Sequence, residues 1–160
     1  MKKFILSVFC CMLLLTGCSN KVQEKGKVQQ IGIEDAFSKM DKKETFLLMI
    51  TRDKCYYCQL IHKMLDDTIE DHPTTIYNVK MDDSTTENLY ADNDLLKTRL
   101  EKPGTTPHVY YIKDGVVKDD ITGFDEENPL EFWEWVKKHN IERSEERRVG
   151  KECLEWWWCG

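Results

Sequence analysis

The chain lacks several features that would assign it to a common class of protein. Its 160 residues carry a formal charge of −6, and no lysine and arginine cluster stands out between the termini. Since contacts with phosphates need such a cluster, nucleic acid is not expected as a partner. The chain has no internal repeat, and its apolar segment from Phe4 to Leu15 is shorter than the roughly 20 residues that cross a bilayer. What remains is a globular composition and a length suited to one domain.

The N-terminal residues are typical of a bacterial secretory signal. Lys2 and Lys3 precede the apolar segment, and the residues from Leu15 to Cys18 read LTGC. This stretch resembles the lipobox of bacterial lipoproteins, which implies that residues 1–17 are a removed signal peptide and that Cys18 carries the lipid. A plain secretory signal or a short anchor are the alternatives. Residues 18–30 are mostly polar and lack aromatics, so they are predicted to be a flexible tether.

The C-terminal residues are expected not to be native. Arg143 to Cys153 read RSEERRVGKEC, which matches the translation of a common short-read sequencing adapter in one frame. Residues 143–160 are therefore assigned to a non-native tail, and no role is given to the tryptophans or cysteines in it.

Of the seven cysteines in the chain, two lie within the expected domain, residues 31–142. Five belong to the expected signal, lipid site or tail: Cys10, Cys11, Cys18, Cys153 and Cys159. Cys55 and Cys58 remain, and a disulfide across two intervening residues would add little stability. A redox pair is therefore favoured over a structural disulfide. A zinc site has less support, because only His62 follows the pair at helical spacing and there is no second CxxC and no HxxxH.

The apolar pattern predicts an α/β domain. Helical spacing covers 31–43, 55–71, 85–100 and 129–139, and runs typical of strands cover 45–51, 74–81, 108–113 and 116–122. Asp114-Gly115 is a favoured turn for a β-hairpin between the last two strands. The predicted order is α-β-α-β-α-β-β-α, a central mixed sheet flanked by helices.

This order resembles the thioredoxin fold over residues 31 to 141. The resemblance is carried by CYYC at the start of the second helix, by Thr106-Pro107 before the hairpin, and by Gly123 ahead of the last helix. It implies a redox-active Cys55–Cys58 disulfide with no other cofactor, a cis bond before Pro107, and Thr106 offering backbone groups to a substrate peptide. The similarity extends to small extracytoplasmic thioredoxin-like proteins of Gram-positive bacteria, including the bacteriocin transport accessory group.

Several residues differ from those of cytoplasmic thioredoxins. Lys54 replaces a tryptophan before the first cysteine, Tyr56-Tyr57 replaces Gly-Pro, and the strand at 45–51 carries no acid. Tyr56 and Tyr57 stand where the family tunes its redox potential; they are expected either to contact substrate or only to pack. His108 is expected to be a hydrogen-bonded strand residue or to influence the Cys55 thiolate. Threonine before the proline is more like disulfide isomerases than thioredoxin.

The sequence therefore predicts a thiol-disulfide oxidoreductase, lipid-anchored on the extracytoplasmic face of the bacterial cell membrane. Cys55 is expected to be the exposed nucleophile, because a helix N-terminus stabilises a thiolate, and Cys58 the more buried resolving cysteine. Expected partners are cysteine-containing secreted or envelope proteins and a redox partner that recharges the pair. Two alternatives stay open: a lipoprotein that handles zinc or copper with the same cysteines, and a thioredoxin-like binding module without catalysis.

Overall fold

A five-stranded sheet forms the centre of the domain, with helices on both faces. The computed structural model describes residues 25–139; the expected signal, Cys18 and the C-terminal tail lie outside this range. The elements are β1 (Lys27–Gln30), α1 (Ile33–Asp41), β2 (Phe46–Arg52), α2 (Tyr56–Thr68), a 3-10 turn (Ile69–Asp71), β3 (Thr75–Met81), α3 (Thr86–Lys97), β4 (His108–Lys113), β5 (Val116–Thr122) and α4 (Glu131–Lys138).

The sheet is mixed, in the order β1-β3-β2-β4-β5. β3 pairs in parallel with β1 and β2, whereas β4 is antiparallel to both β2 and β5. The predicted mixed α/β fold is confirmed. Between residues 25 and 139, no helix has the length and apolar character needed to cross a membrane.

The strand β1 is an addition to the predicted order, and it corrects the predicted tether at Lys27–Gln30; residues 18–24 lie outside the described residues. Residues 18–30 were expected to be flexible, yet Lys27–Gln30 pairs with β3, and Lys27 N–H donates to the Thr74 carbonyl at 3.0 Å. The prediction fails here because an edge strand is held by backbone hydrogen bonds and needs few apolar side chains. Gly26 permits the approach, since a Cβ there would lie 2.0 Å from the His72 carbonyl oxygen.

Both faces of β2 are covered, which explains its continuous apolar sequence. Phe46, Leu48 and Ile50 pack with α1 and α3 on one face. Leu47 and Met49 pack with α2 and α4 on the other. The alternation of side chains along the strand thus divides the core into two layers, one on each side of the sheet.

The hairpin turn between β4 and β5 has the backbone that its sequence predicts. Asp114 and Gly115 have φ values of 54° and 76°, both in the left-handed region. Gly115 also approaches α1 closely, because a Cβ there would lie 2.1 Å from the Met40 carbonyl oxygen. The turn sets the pairing of Lys113 with Val116 and of Ile112 with Val117, and an irregularity between Ile112 and Tyr111 then shifts the register by one residue, so that Tyr110 lies opposite Asp120.

Candidate active site

Cys55 and Cys58 lie where β2 passes into α2, and they form a disulfide. Cys55 is the N-cap residue of α2, and its Sγ accepts a hydrogen bond from the backbone N–H of Cys58 at 3.2 Å. The 13-residue helix directs unpaired N–H groups and its positive dipole end toward this sulfur. The first turn of α2 has no acidic residue to oppose that field.

The two cysteines differ in accessibility, but less than expected. Cys58 is 1% exposed and Cys55 is 6% exposed, so the prediction of an exposed Cys55 is wrong. The cover comes from Thr106, whose carbonyl oxygen and hydroxyl both lie 3.4 Å from the Cys55 Sγ. In this oxidised pair, only a narrow part of Cys55 therefore reaches the surface.

Thr106 and Pro107 stand opposite the cysteine pair, at the start of β4. The Thr106–Pro107 peptide bond is cis, and Pro107 is buried. The Pro107 carbonyl accepts a hydrogen bond from Gly123 N–H at 2.8 Å, and Gly123 has a φ of 84°. The fold thus brings together the three sequence features that were far apart in the chain.

Tyr56 and Tyr57 lie on the surface beside the disulfide. Their side chains are 59% and 47% exposed, and the rings meet edge to face with centroids 5.4 Å apart. The Tyr56 hydroxyl donates to Glu126 at 3.5 Å. Tyr57 lines a surface cavity of about 460 Å³ together with Phe124 and Phe132. Neither ring is part of the core, so the expectation that they only pack there does not hold.

Lys54, which precedes the pair, is directed toward the loop after β3. Its backbone N–H donates to the Asp83 carboxylate at 2.7 Å, and its Nζ donates to the Asp83 carbonyl at 2.7 Å. These bonds fix the approach of the chain to Cys55.

The two histidines near the pair have different surroundings. His62 is half-buried on α2, and burial lowers its pKa against the opposing effect of Asp66. His108 is 2% exposed and lies between Asp120 and the Lys102 carbonyl. Among the side chains of residues 25–139, no group of three His, Cys, Asp or Glu is placed to hold a metal ion.

A neutral buried pair lies on the face of the sheet that α2 covers. Thr51, at the end of β2, donates from its hydroxyl to Oδ1 of Asn78 at 2.9 Å, and the two residues are 1% and 4% exposed. The absence of an acid from β2 is visible in the sequence, whereas this hydrogen-bonded pair is not. Thr51 and Asn78 stand diagonally across the two strands, since the register pairs Met49 with Asn78 and Thr51 with Lys80. The spacing within either strand gives no signal of such a contact.

Solved structures share this fold. Thioredoxin f2 of Chlamydomonas reinhardtii matches with a TM-score of 0.54 and 14% identity, covering 71% of this chain and 96% of its own. The thioredoxin of Malassezia sympodialis matches at 0.52 and 15% identity, covering 72% and 93%. A complex of ferredoxin:thioredoxin reductase and thioredoxin f2 matches at 0.52 and 15%, covering 71% and 97%. No protein-family model and no curated protein matches the sequence. The likeness shows a thioredoxin-like fold.

Proposed function

We propose that this protein is a thiol-disulfide oxidoreductase that acts through Cys55 and Cys58. The proposal is supported by one observation above all: the disulfide lies at the N-terminus of α2, with the Cys58 N–H and the Thr106 hydroxyl both directed at the Cys55 sulfur. Those donors and the helix dipole stabilise a thiolate, which is the form that attacks a disulfide.

The reaction is a pair of thiol-disulfide exchanges. In the reduced protein, the Cys55 thiolate attacks one sulfur of a client disulfide, forms a mixed disulfide and expels the other client sulfur as a thiolate. Cys58 then loses its proton and attacks the Cys55 sulfur, which releases the second client thiolate and forms the Cys55–Cys58 disulfide. Two electrons pass to the client. If a client thiolate displaces Cys55 first, the client is isomerised and no net electrons are transferred.

We favour isomerisation or reduction of specific clients. The second exchange needs an acceptor for the Cys58 proton, and β2, which leads to the pair, carries no carboxylate that could serve. A slow second exchange prolongs the mixed disulfide, which gives the client time to rearrange. Tyr56 and Tyr57, together with the backbone of Thr106, would contact the client around its disulfide.

The proposed setting is the extracytoplasmic face of the cell membrane, with a lipid on Cys18 as the anchor. Clients there are secreted or envelope proteins that contain cysteines, and a redox partner must recharge the pair after each net reduction or oxidation. A thioredoxin in complex with its reductase is one arrangement of this kind. The Cys18→Ala protein is expected in the culture medium, whereas the unchanged protein stays with membranes.

The test of the function is capture of clients on intact cells. A Cys58→Ser variant retains the attacking thiol and cannot resolve the mixed disulfide, so it should accumulate client adducts that dithiothreitol releases. The matched control, Cys55→Ser with Cys58→Ser, should capture none. Equal capture by both variants contradicts the proposal. Stoichiometric binding of Zn(II) by the reduced protein without any adduct would favour the metal-handling alternative, and a pair that stays oxidised in excess glutathione would favour a binding module.

A further inference from the structure

The loop before Pro107 is held by two buried side chains of β4. His108 Nδ1 lies 3.1 Å from the Lys102 carbonyl oxygen, and the Tyr110 hydroxyl donates to the Glu101 carbonyl at 2.6 Å. The Tyr110 hydroxyl is also 2.9 Å from His108 Nδ1, and the two rings stack with centroids 4.0 Å apart. Consecutive carbonyls of one loop are thus tied to two side chains of one strand.

The far side of the His108 ring is fixed as well. Its Nε2 lies 2.7 Å from an oxygen of Asp120 on the neighbouring strand β5, opposite Tyr110 in the register. Both ring nitrogens therefore face polar partners, with the Asp120 carboxylate at Nε2 and the Lys102 carbonyl and Tyr110 hydroxyl at Nδ1. With both nitrogens engaged, the orientation of this 2% exposed ring is determined.

The loop requires this support because of its backbone. Lys102 has a φ of 51°, in the left-handed region that residues with a side chain seldom adopt. Its carbonyl oxygen accepts from Thr105 N–H at 3.1 Å in addition to its contact with His108. A conformation of this kind persists where surrounding groups hold it, and such sites often serve a function.

The loop ends at Thr106, which contacts the Cys55 sulfur through two atoms. We propose that His108, with Tyr110, is a positioning residue for the redox pair: it holds the Glu101–Thr106 loop so that the Thr106 hydroxyl donates to the Cys55 thiolate. His108 itself does not touch the reacting sulfur; it acts through Thr106. This inference deepens the proposed function and rests on it in one respect, that the Cys55 sulfur is the reacting atom.

The test measures the reactivity of Cys55 without any client. Full-length protein carrying Cys58→Ser is reduced and treated with iodoacetamide at neutral pH, and alkylation is followed on the tryptic peptide Cys55–Lys63 by mass spectrometry. His108→Gln keeps a polar group near Asp120 but loses the Nδ1 contact with the Lys102 carbonyl, and it should lower the rate about threefold or more. His108→Asn places an amide group near the Nδ1 position, where it can bond to the Lys102 carbonyl, and should stay within about twofold of the parent.

Tyr110→Phe removes a single oxygen atom from the network and should also lower the rate, while leaving a folded protein. Its matched control is Tyr111→Phe, which removes the hydroxyl of the next residue, on the opposite face of β4, and should leave the rate unchanged. Melting temperature is recorded for each variant. If His108→Gln does not fold, the Tyr110→Phe and Tyr111→Phe pair decides the question.

A double-mutant cycle then separates positioning from a general loss of stability. In a Thr106→Val background the hydroxyl is already absent, so His108→Gln and Tyr110→Phe should have little further effect on the rate. Full, multiplicative effects in that background would overturn the proposal, as would lowered melting temperatures with unchanged alkylation. Because alkylation needs no client, a protein that captures nothing on cells can still support this inference. A protein that captures clients can likewise show that His108 and Tyr110 do not position Thr106.

Discussion

The carbonyl oxygen and the hydroxyl of Thr106 both lie 3.4 Å from the Sγ of Cys55. The two residues are 51 positions apart in the sequence, and they meet because β4 lies beside β2 in the sheet. The hydroxyl is a donor to the sulfur, whereas the carbonyl can only accept. A thiolate at Cys55 is therefore favoured by the hydroxyl, and a protonated thiol can bond to the carbonyl.

Thr106→Val should lower the thiolate fraction of Cys55. Valine preserves the shape of the side chain and removes the donor, which at about 0.5–1.5 kcal/mol for a hydrogen bond corresponds to a roughly two- to tenfold slower alkylation at neutral pH. The rate is measured in the reduced protein across a pH series. Thr105→Val, at the exposed neighbouring position, is the control and should match the unchanged protein. Equal rates for both variants would show that the hydroxyl does not act on the sulfur.

Thr51→Val should destabilise the fold by about 1–3 kcal/mol, since it leaves the Asn78 side-chain carbonyl buried without a donor. Adding Asn78→Leu should recover part of that loss, because both polar groups are then gone. Urea denaturation measures the free energy of unfolding of each variant. Thr122→Val, at an exposed position of β5, should change it by less than about 0.5 kcal/mol. If the double variant were less stable than Thr51→Val, Asn78 would stabilise the fold by more than its hydrogen bond with Thr51.

The elements that bury apolar side chains could be predicted from the sequence. β2, α2 and the β4–β5 hairpin follow from apolar runs, helical spacing and the Asp114-Gly115 turn. β1 does not, because its polar sequence is held by backbone pairing with β3. The cysteine pair could be predicted from its spacing. The low exposure of Cys55 could not, since it depends on how closely Thr106 approaches the sulfur. The His108–Asp120 contact likewise depends on the register of β5, which sequence spacing alone does not determine.

His62 should make stability depend on pH. Burial lowers its pKa below the usual 6.5, and the carboxylates of Asp66 and Asp53 oppose this only in part. The unfolded chain therefore takes up a proton at a higher pH than the folded protein. The stability contributed by neutral His62 is complete above pH 6.5 and is lost as pH falls through the folded pKa.

The expected result is a decrease in the free energy of unfolding from pH 7 to about pH 5, smaller in His62→Gln than in the unchanged protein. Urea denaturation at several pH values measures both slopes. Lys63→Gln, an exposed neighbour on the same helix, should leave the slope unaltered. Parallel slopes for the unchanged protein and His62→Gln would refute the assignment to His62.

The most direct test of the central claim is the reaction of the reduced protein with oxidised glutathione, quenched by acid at successive times and resolved by mass spectrometry. We predict that Cys58→Ser accumulates one glutathione on Cys55, much faster than a free cysteine reacts. The unchanged protein should pass through the same adduct and end with the Cys55–Cys58 disulfide, and Cys55→Ser should react slowly at Cys58. An adduct that forms first on Cys58, or a Cys55 that reacts no faster than free cysteine, would contradict the account.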